Sequence, residues 1–164
     1  MENGTIDLNR GLLHIFDSDI YIGMTYEEFK NNFESYIKNI CEFETSEGLN
    51  CKTITSIETS VYNIACFYIK IWFKENICYK IYMEPDCNNV IVTNSKDKKG
   101  IGYYQEKVIQ NEKNIIEIFK QLYPDEIEID DKLEGFFIKT DKYSLGSSID
   151  RDCLKCTISL RSLN

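Results

Sequence analysis

The sequence predicts an α+β fold: a mostly antiparallel sheet of about six to eight strands with two amphipathic helices packed on it. Three observations carry this expectation. Val61 to Met83 holds two apolar, aromatic and β-branched runs separated by a short polar break, the pattern of a long β-hairpin. Two other stretches repeat apolar residues at spacings of three and four, the period of a helix buried along one side. The remaining strand-like segments follow one another as hairpins do, without the strand–helix alternation of a parallel doubly wound sheet.

In the first run of the hairpin Val61, Ala65, Phe67, Ile69, Ile71 and Phe73 share one face, and Tyr62, Ile64, Cys66, Tyr68, Lys70 and Trp72 the other. The second run sets Ile77, Tyr79, Ile81 and Met83 against Cys78, Lys80 and Tyr82. Loop length decides which faces meet, because side chains alternate with a period of two. A two-residue loop at Glu75-Asn76 pairs Lys74 with Ile77 and mixes the faces. A three-residue loop of Lys74, Glu75 and Asn76 pairs Phe73 with Ile77, Ile71 with Tyr79 and Ile69 with Ile81, and gives Asn76 the positive φ that Asn tolerates. The three-residue loop is therefore expected, with the odd-numbered face as core and Lys70 opposite Lys80 on the other.

Ahead of the hairpin, Leu12 to Phe16 and Ile20 to Ile22 are short strands around a turn at Asp17-Ser18-Asp19. Thr25 followed by Glu28 reads as a capping box, with Met24 and Phe29 at the two positions of a hydrophobic staple. The helix it opens carries Phe29, Phe33, Tyr36, Ile37 and Ile40 in one stripe and is expected from about Tyr26 to Asn39. One strand, Lys52 to Glu58, leads into the hairpin. Beyond Met83, Glu84-Pro85-Asp86 breaks the strand, Val90 to Thr93 reads as another, and Asn94 to Gly102 as a polar, mobile connection. A second helix runs from Tyr103 or Glu106 to Tyr123, on a stripe of Tyr104, Val108, Ile115, Phe119 and Leu122, and Pro124 ends it. Glu126 to Ile129, Phe136 to Thr140 and Cys153 to Leu160 are strand candidates, with a further one at Ser144 to Ile149.

At 164 residues the chain is expected to be a single globular domain over its whole length. Its formal net charge of −8 argues against nucleic acid and against anionic membranes, which need a basic footprint, and is compatible with a basic partner. No run reaches the length a membrane helix needs, and the polar start has no signal-peptide core. Seven cysteines, an odd number, fit reduced thiols in a cytoplasm better than a disulfide framework.

Catalytic signatures are missing. His14 is the sole histidine, on one face with Leu12 and Phe16, and a partly buried, hydrogen-bonded structural role is expected of it. Cys153 and Cys156 have the spacing of half a zinc site but lack a second pair. Asp17-Ser18-Asp19 and Asp150-Arg151-Asp152 fit turns, and no glycine-rich phosphate loop exists. No cofactor is expected. Two binding features stand out instead. Asp125, Glu126, Glu128, Asp130, Asp131 and Glu134 crowd one segment, where a strand buries Ile127 and Ile129 and shows a row of carboxylates. Such a row either protects a sheet edge or steers a basic partner. The even face of the hairpin, with Tyr68, Trp72 and Tyr82, is core if a helix covers it and an anchor cluster if it is open.

The segment Ile20 to Phe33 (IYIGMTYEEFKNNF) resembles the strand–Gly-Met-Thr–helix opening of several small bacterial proteins, among them immunity proteins encoded beside polymorphic or contact-dependent toxins. That resemblance implies a small cytoplasmic α+β body, acidic and non-enzymatic, tuned to one basic toxin domain. The expected function is therefore direct neutralisation of such a toxin. The alternatives are a small ligand-binding or enzymatic domain with a pocket between sheet and helices, or a structural subunit that pairs through its sheet.

Overall fold

A strand that alternates apolar and polar side chains can bury only one face, and this sets the architecture. The computed structural model describes residues 3–37, 39–44, 50–55, 59–62, 64–85, 101–130, 135–150 and 155–163. Its strands are β1 (Asn3–Asp7), β2 (Leu12–Ile15), β3 (Ser18–Tyr21), β4 (Asn39–Glu44), β5 (Asn50–Thr55), β6 (Thr59–Val61), β7 (Ile64–Lys74), β8 (Ile77–Pro85), β9 (Ile127–Asp130), β10 (Gly135–Lys139), β11 (Tyr143–Asp150) and β12 (Lys155–Ser162). The helices are α1 (Tyr26–Phe33) and α2 (Ile101–Leu122). The fold is α+β, as expected, with more strands than the alternation alone marked out.

The sheet runs β3-β2-β1-β6-β7-β8-β12-β11-β10-β9, and all of its pairings are antiparallel except β1 with β6. β7 is long enough to take two neighbours along one edge: β6 at Ile64 to Cys66 and β5 at Lys70 to Lys74, with β4 beyond β5. The strand predicted at Val90 to Thr93 and most of the Asn94–Gly102 connection lie outside the described residues.

One cross-strand row makes the core legible: Ile127, Ile138, Leu145, Leu160, Ile81 and Ile71 stand opposite one another across β9, β10, β11, β12, β8 and β7. All but half-buried Ile127 are buried. Fully burying one such side chain stabilises by about 1.5–3 kcal/mol. Both helices lie over this face. α1 brings Tyr26 and Phe29 onto Phe73, with centroids 5.5 and 5.6 Å apart. α2 stacks Phe119 on Phe136 at 4.7 Å.

The hairpin loop departs from expectation. It has two residues, Glu75 and Asn76, with φ of 47° and 64°, and Lys74 pairs with Ile77. Two positive-φ residues match the twist of the flanking strands, and a bulge removes the mixing of faces that argued against this loop. Phe73 pairs with Cys78, but Trp72 pairs with Lys80, so Tyr79 is the extra residue. Cys78 joins the core, and Ile77 stays exposed. Lys70 consequently faces Tyr82, not Lys80. The tip is held from two sides: Glu75 N–H donates to Asn50 O at 2.8 Å, and Tyr26 N–H donates to Asn76 O at 2.8 Å.

α1 ends at Phe33, earlier than its stripe predicts, and passes through a 3₁₀ turn at Glu34–Tyr36 into β4. With Tyr26, Phe29 and Phe33 the helix has buried what the sheet offers. Tyr36 instead stacks on Phe16 at 4.5 Å, and Ile40 is exposed on β4. Thr25 Oγ1 accepts from Glu28 N–H at 3.2 Å, as a cap should. The reciprocal half of the box is replaced: the Glu28 carboxylate accepts from Tyr21 OH at 2.8 Å. The first turn is centred on Phe16 and Asp17, both at positive φ, so Ser18 and Asp19 belong to β3. At Gly11, with φ of 63°, a Cβ would stand 2.6 Å from the Tyr143 ring, so glycine is required twice over there.

Candidate partner-binding face

The core row fixes its neighbours. One residue along each strand, a second row crosses the sheet on the opposite face: Glu128, Phe137, Gly146, Ser159, Tyr82 and Lys70. A third runs through Lys139, Ser144, Arg161, Lys80 and Trp72. No described helix lies over these rows. The even face of the hairpin is therefore the outer face of the sheet. Glu128 of the acidic segment and Trp72 and Tyr82 of the hairpin, separate in the sequence, are brought to one surface. Glu128 and Tyr82 stand four strand spacings apart, about 19 Å.

At the acidic end, β9 is the last strand of the sheet among the described residues. Asp125, Glu126, Glu128 and Asp130 are exposed; Asp131 and Glu134 lie outside the described residues. Ile129 was expected to be buried, yet it is 43% exposed. Its partner Phe136 lies under Phe119, but β9 extends past the shelter of α2, so burial reaches Ile127 only.

At the other end, Trp72 sits among Phe43 (6.0 Å) and Tyr79 (6.4 Å), both edge-on. Lys70 Nζ lies 5.1 Å and Lys80 Nζ 5.8 Å from the Trp72 centroid, and Lys80 is also 5.5 Å from that of Tyr82. These are cation–π distances, and both rings are half-buried. Trp72 Nε1 is buried without a hydrogen-bond partner. Burial lowers the Lys80 pKa from its ordinary value, and Arg161 and Lys70 beside it lower it further. Tyr82 is half-buried; Tyr68 lies in β7 opposite Glu84, and its side chain is outside the description. Tyr62 leaves this face: at φ of 50° it turns to the core, edge-on to Phe119, with its OH donating to Ile6 O and accepting from Ile6 N–H, both at 2.9 Å.

The cations of this surface were not singled out in the sequence as a group. Lys80, Arg161 and Lys139 come from segments far apart, and only the insertion of β12 between β8 and β11 aligns them. Their common signal is an outward position in an alternating strand, which is also where any solvated lysine stands.

Elsewhere the chemistry is sparse. His14 was expected to be partly buried but is exposed on the outer side of β2, its Nδ1 2.7 Å from Asp19 Oδ1 across the β2–β3 pair. Among the described residues no group of His, Cys, Asp and Glu could hold a metal, and Cys153 and the Cys156 side chain fall outside that description. Cys41, Cys51 and Cys78 are free thiols, the last two buried. A cleft of about 270 Å³ near the hairpin tip is lined by Ile22, Ile77, Cys78, Tyr79, Lys142 and Tyr143. No described helix is long and apolar enough to cross a membrane.

No protein-family model matches the chain. No curated protein matches it either. Among solved structures the chain is similar to one chain of the complex described as "Rhs1-CT in complex with cognate immunity protein RhsI1", at 13% identity and a TM-score of 0.47, over 98% of this chain and 87% of that one.

Proposed function

We propose that this protein is a non-enzymatic binding protein, an immunity protein that neutralises a basic toxin domain by covering it with the outer face of its sheet. One observation carries the reading: carboxylates at β9 and aromatic residues at β7 and β8 share a surface that no described helix covers. Exposed acids on a rigid strand raise the encounter rate with a basic partner. Trp72 and Tyr82 supply broad, preorganised contact area of the kind that dominates binding energy. The expected site is therefore Asp125, Glu126, Glu128, Asp130, Asp131 and Glu134 for steering, with Tyr68, Trp72 and Tyr82 as anchors. A cytoplasmic, bacterial setting fits such a partner.

The test starts from the reading frame beside the gene. A toxin domain encoded there is expressed in a sensitive host with and without this chain. Survival that depends on this chain, together with a stoichiometric complex of the purified pair, is the expected result. A host that dies regardless, or a neighbouring frame encoding a metabolic enzyme that this chain does not bind, overturns the reading.

A further inference from the structure

The outer face carries both signs of charge, and its middle is cationic. Lys80 and Arg161 stand directly opposite each other on β8 and β12, a like-charge cross-strand pair that costs stability unless an anion lies over it. Lys139 lies in the same row across β10, and Lys70 joins from β7. None of these four cations has an acidic partner among the described residues. Arg161 Nε donates only to Ser144 Oγ at 3.2 Å, Lys139 lies 4.9 Å over Phe137, and the other two lie over Trp72. Trp72 adds an indole N–H without an acceptor. Four cations therefore gather at this centre, in a chain whose net charge is −8.

We propose that the row Lys139–Arg161–Lys80, with Lys70 and Trp72, is a docking site for a short acidic segment of a protein partner, whose carboxylates lie between the cations while its apolar atoms rest on the Trp72 and Tyr82 rings. The proposal rests on the function given above only for the partner's being a protein, and it adds that the partner is not uniformly basic. Its docking surface carries acids opposite the middle of the sheet and bases opposite β9. Opposite charges at the two ends of one face also fix the orientation in which a partner can land, since the reversed pose sets like charges together. The row from Lys139 to Lys80 spans three strand spacings, about 14 Å, the reach of four or five extended residues. A nucleic-acid strand fits worse: its phosphates continue past the row, and Glu128 on the same face repels them.

Trp72 is the sole tryptophan, so its fluorescence reports on this site alone. The full chain is titrated at low salt with three probes: a hexaglutamate peptide, a hexalysine peptide and a single-stranded oligothymidylate of equal charge. Hexaglutamate should change Trp72 emission saturably, with a midpoint below about 1 mM. The midpoint should rise roughly tenfold in the variant Lys80→Gln/Arg161→Gln and fall in Glu128→Lys, which extends the positive field. Both variants should keep the wild-type circular dichroism, since surface charges contribute little to folding. No saturable change with hexaglutamate, or an unchanged midpoint in the folded glutamine variant, overturns the proposal. So does tighter binding of the oligothymidylate, which assigns the row to nucleic acid. None of these outcomes depends on a toxin, so the site can fail while the neutralising function stands, and the reverse.

Discussion

Cys78 is the residue whose chemistry the fold alters most. Buried by the hairpin bulge, its thiol is pushed from 9.0 up to about 12 by the loss of solvation, against a smaller opposing effect of the Lys80 backbone. A raised pKa means that the fold favours the neutral thiol. The resulting stability is fully present below pH 9 and is lost as the pH climbs through 9 towards 12. Tyr62 and Tyr123, raised chiefly by burial, act in the same direction above pH 10. The denaturation midpoint should therefore fall between pH 9 and 11, and Cys78→Ala should fall less steeply over that interval. Equal slopes would show that the thiol does not titrate with unfolding. A second buried group ties helix to sheet. Glu112, 2% exposed on α2, accepts a short hydrogen bond from Ser147 Oγ on β11, and Ser147 Oγ in turn accepts from Phe136 N–H at 3.3 Å. Ser147→Ala removes the hydroxyl that bonds both the Glu112 carboxylate and the Phe136 N–H, which costs about 1–3 kcal/mol. A denaturant melt unchanged from wild type would show that water or another group replaces the hydroxyl.

At the scale of elements, the two-residue turn is the test case. Glu75 and Asn76 both hold positive φ, a conformation that costs a residue with a Cβ about 1–2 kcal/mol and glycine nothing. Asn76→Gly should therefore keep or raise stability, and β-branched Asn76→Val should lower it by at least about 1 kcal/mol; melts that rank them the other way refute the turn. Ile69→Ala, in the centre of β7 and fully buried, should cost about 2–5 kcal/mol. Alternation and helical spacing were enough to place β7, β8, α1 and the later strands, because those signals are local. They missed β4, since Ile40 reads as the last member of the preceding helix stripe and the alternation is loose from Cys41 on, and missed the turn, since a bulge is a tertiary compromise between a favoured loop and a buried face. The candidate site divides in the same way. The acids near β9 and the aromatics of β7 and β8 lie in short windows and could be read directly. Their presence on one face, and the cations between them, depend on the strand order, which pairs residues as far apart as Lys80 and Arg161.

At the scale of the whole molecule, charge acts through distance, and distance separates the two ends of the outer face. Exposed charges act over about one Debye length, roughly 10 Å at 0.1 M salt, so the carboxylates near β9 and the Lys80 end of the cation row, four strand spacings or about 19 Å away, address different parts of a partner. Steering and anchoring should then respond to different substitutions. Glu126→Lys/Glu128→Lys moves the net charge from −8 to −4 while leaving Ile127 to pack. Folding should be almost unaffected, because both side chains are exposed and such charges contribute about 0–1 kcal/mol. Association with a basic toxin domain should slow by roughly tenfold at low salt, and its salt dependence should flatten, with dissociation almost unchanged. Trp72→Ala/Tyr82→Ala should leave the encounter rate within about twofold and speed dissociation, since broad aromatic contacts act after the encounter. Stopped-flow mixing across a salt series separates the two rates. An acidic-end variant that stays folded and associates at the wild-type rate at every salt concentration removes β9 from the interface, and an aromatic variant that unfolds assigns Trp72 and Tyr82 to the support of the sheet.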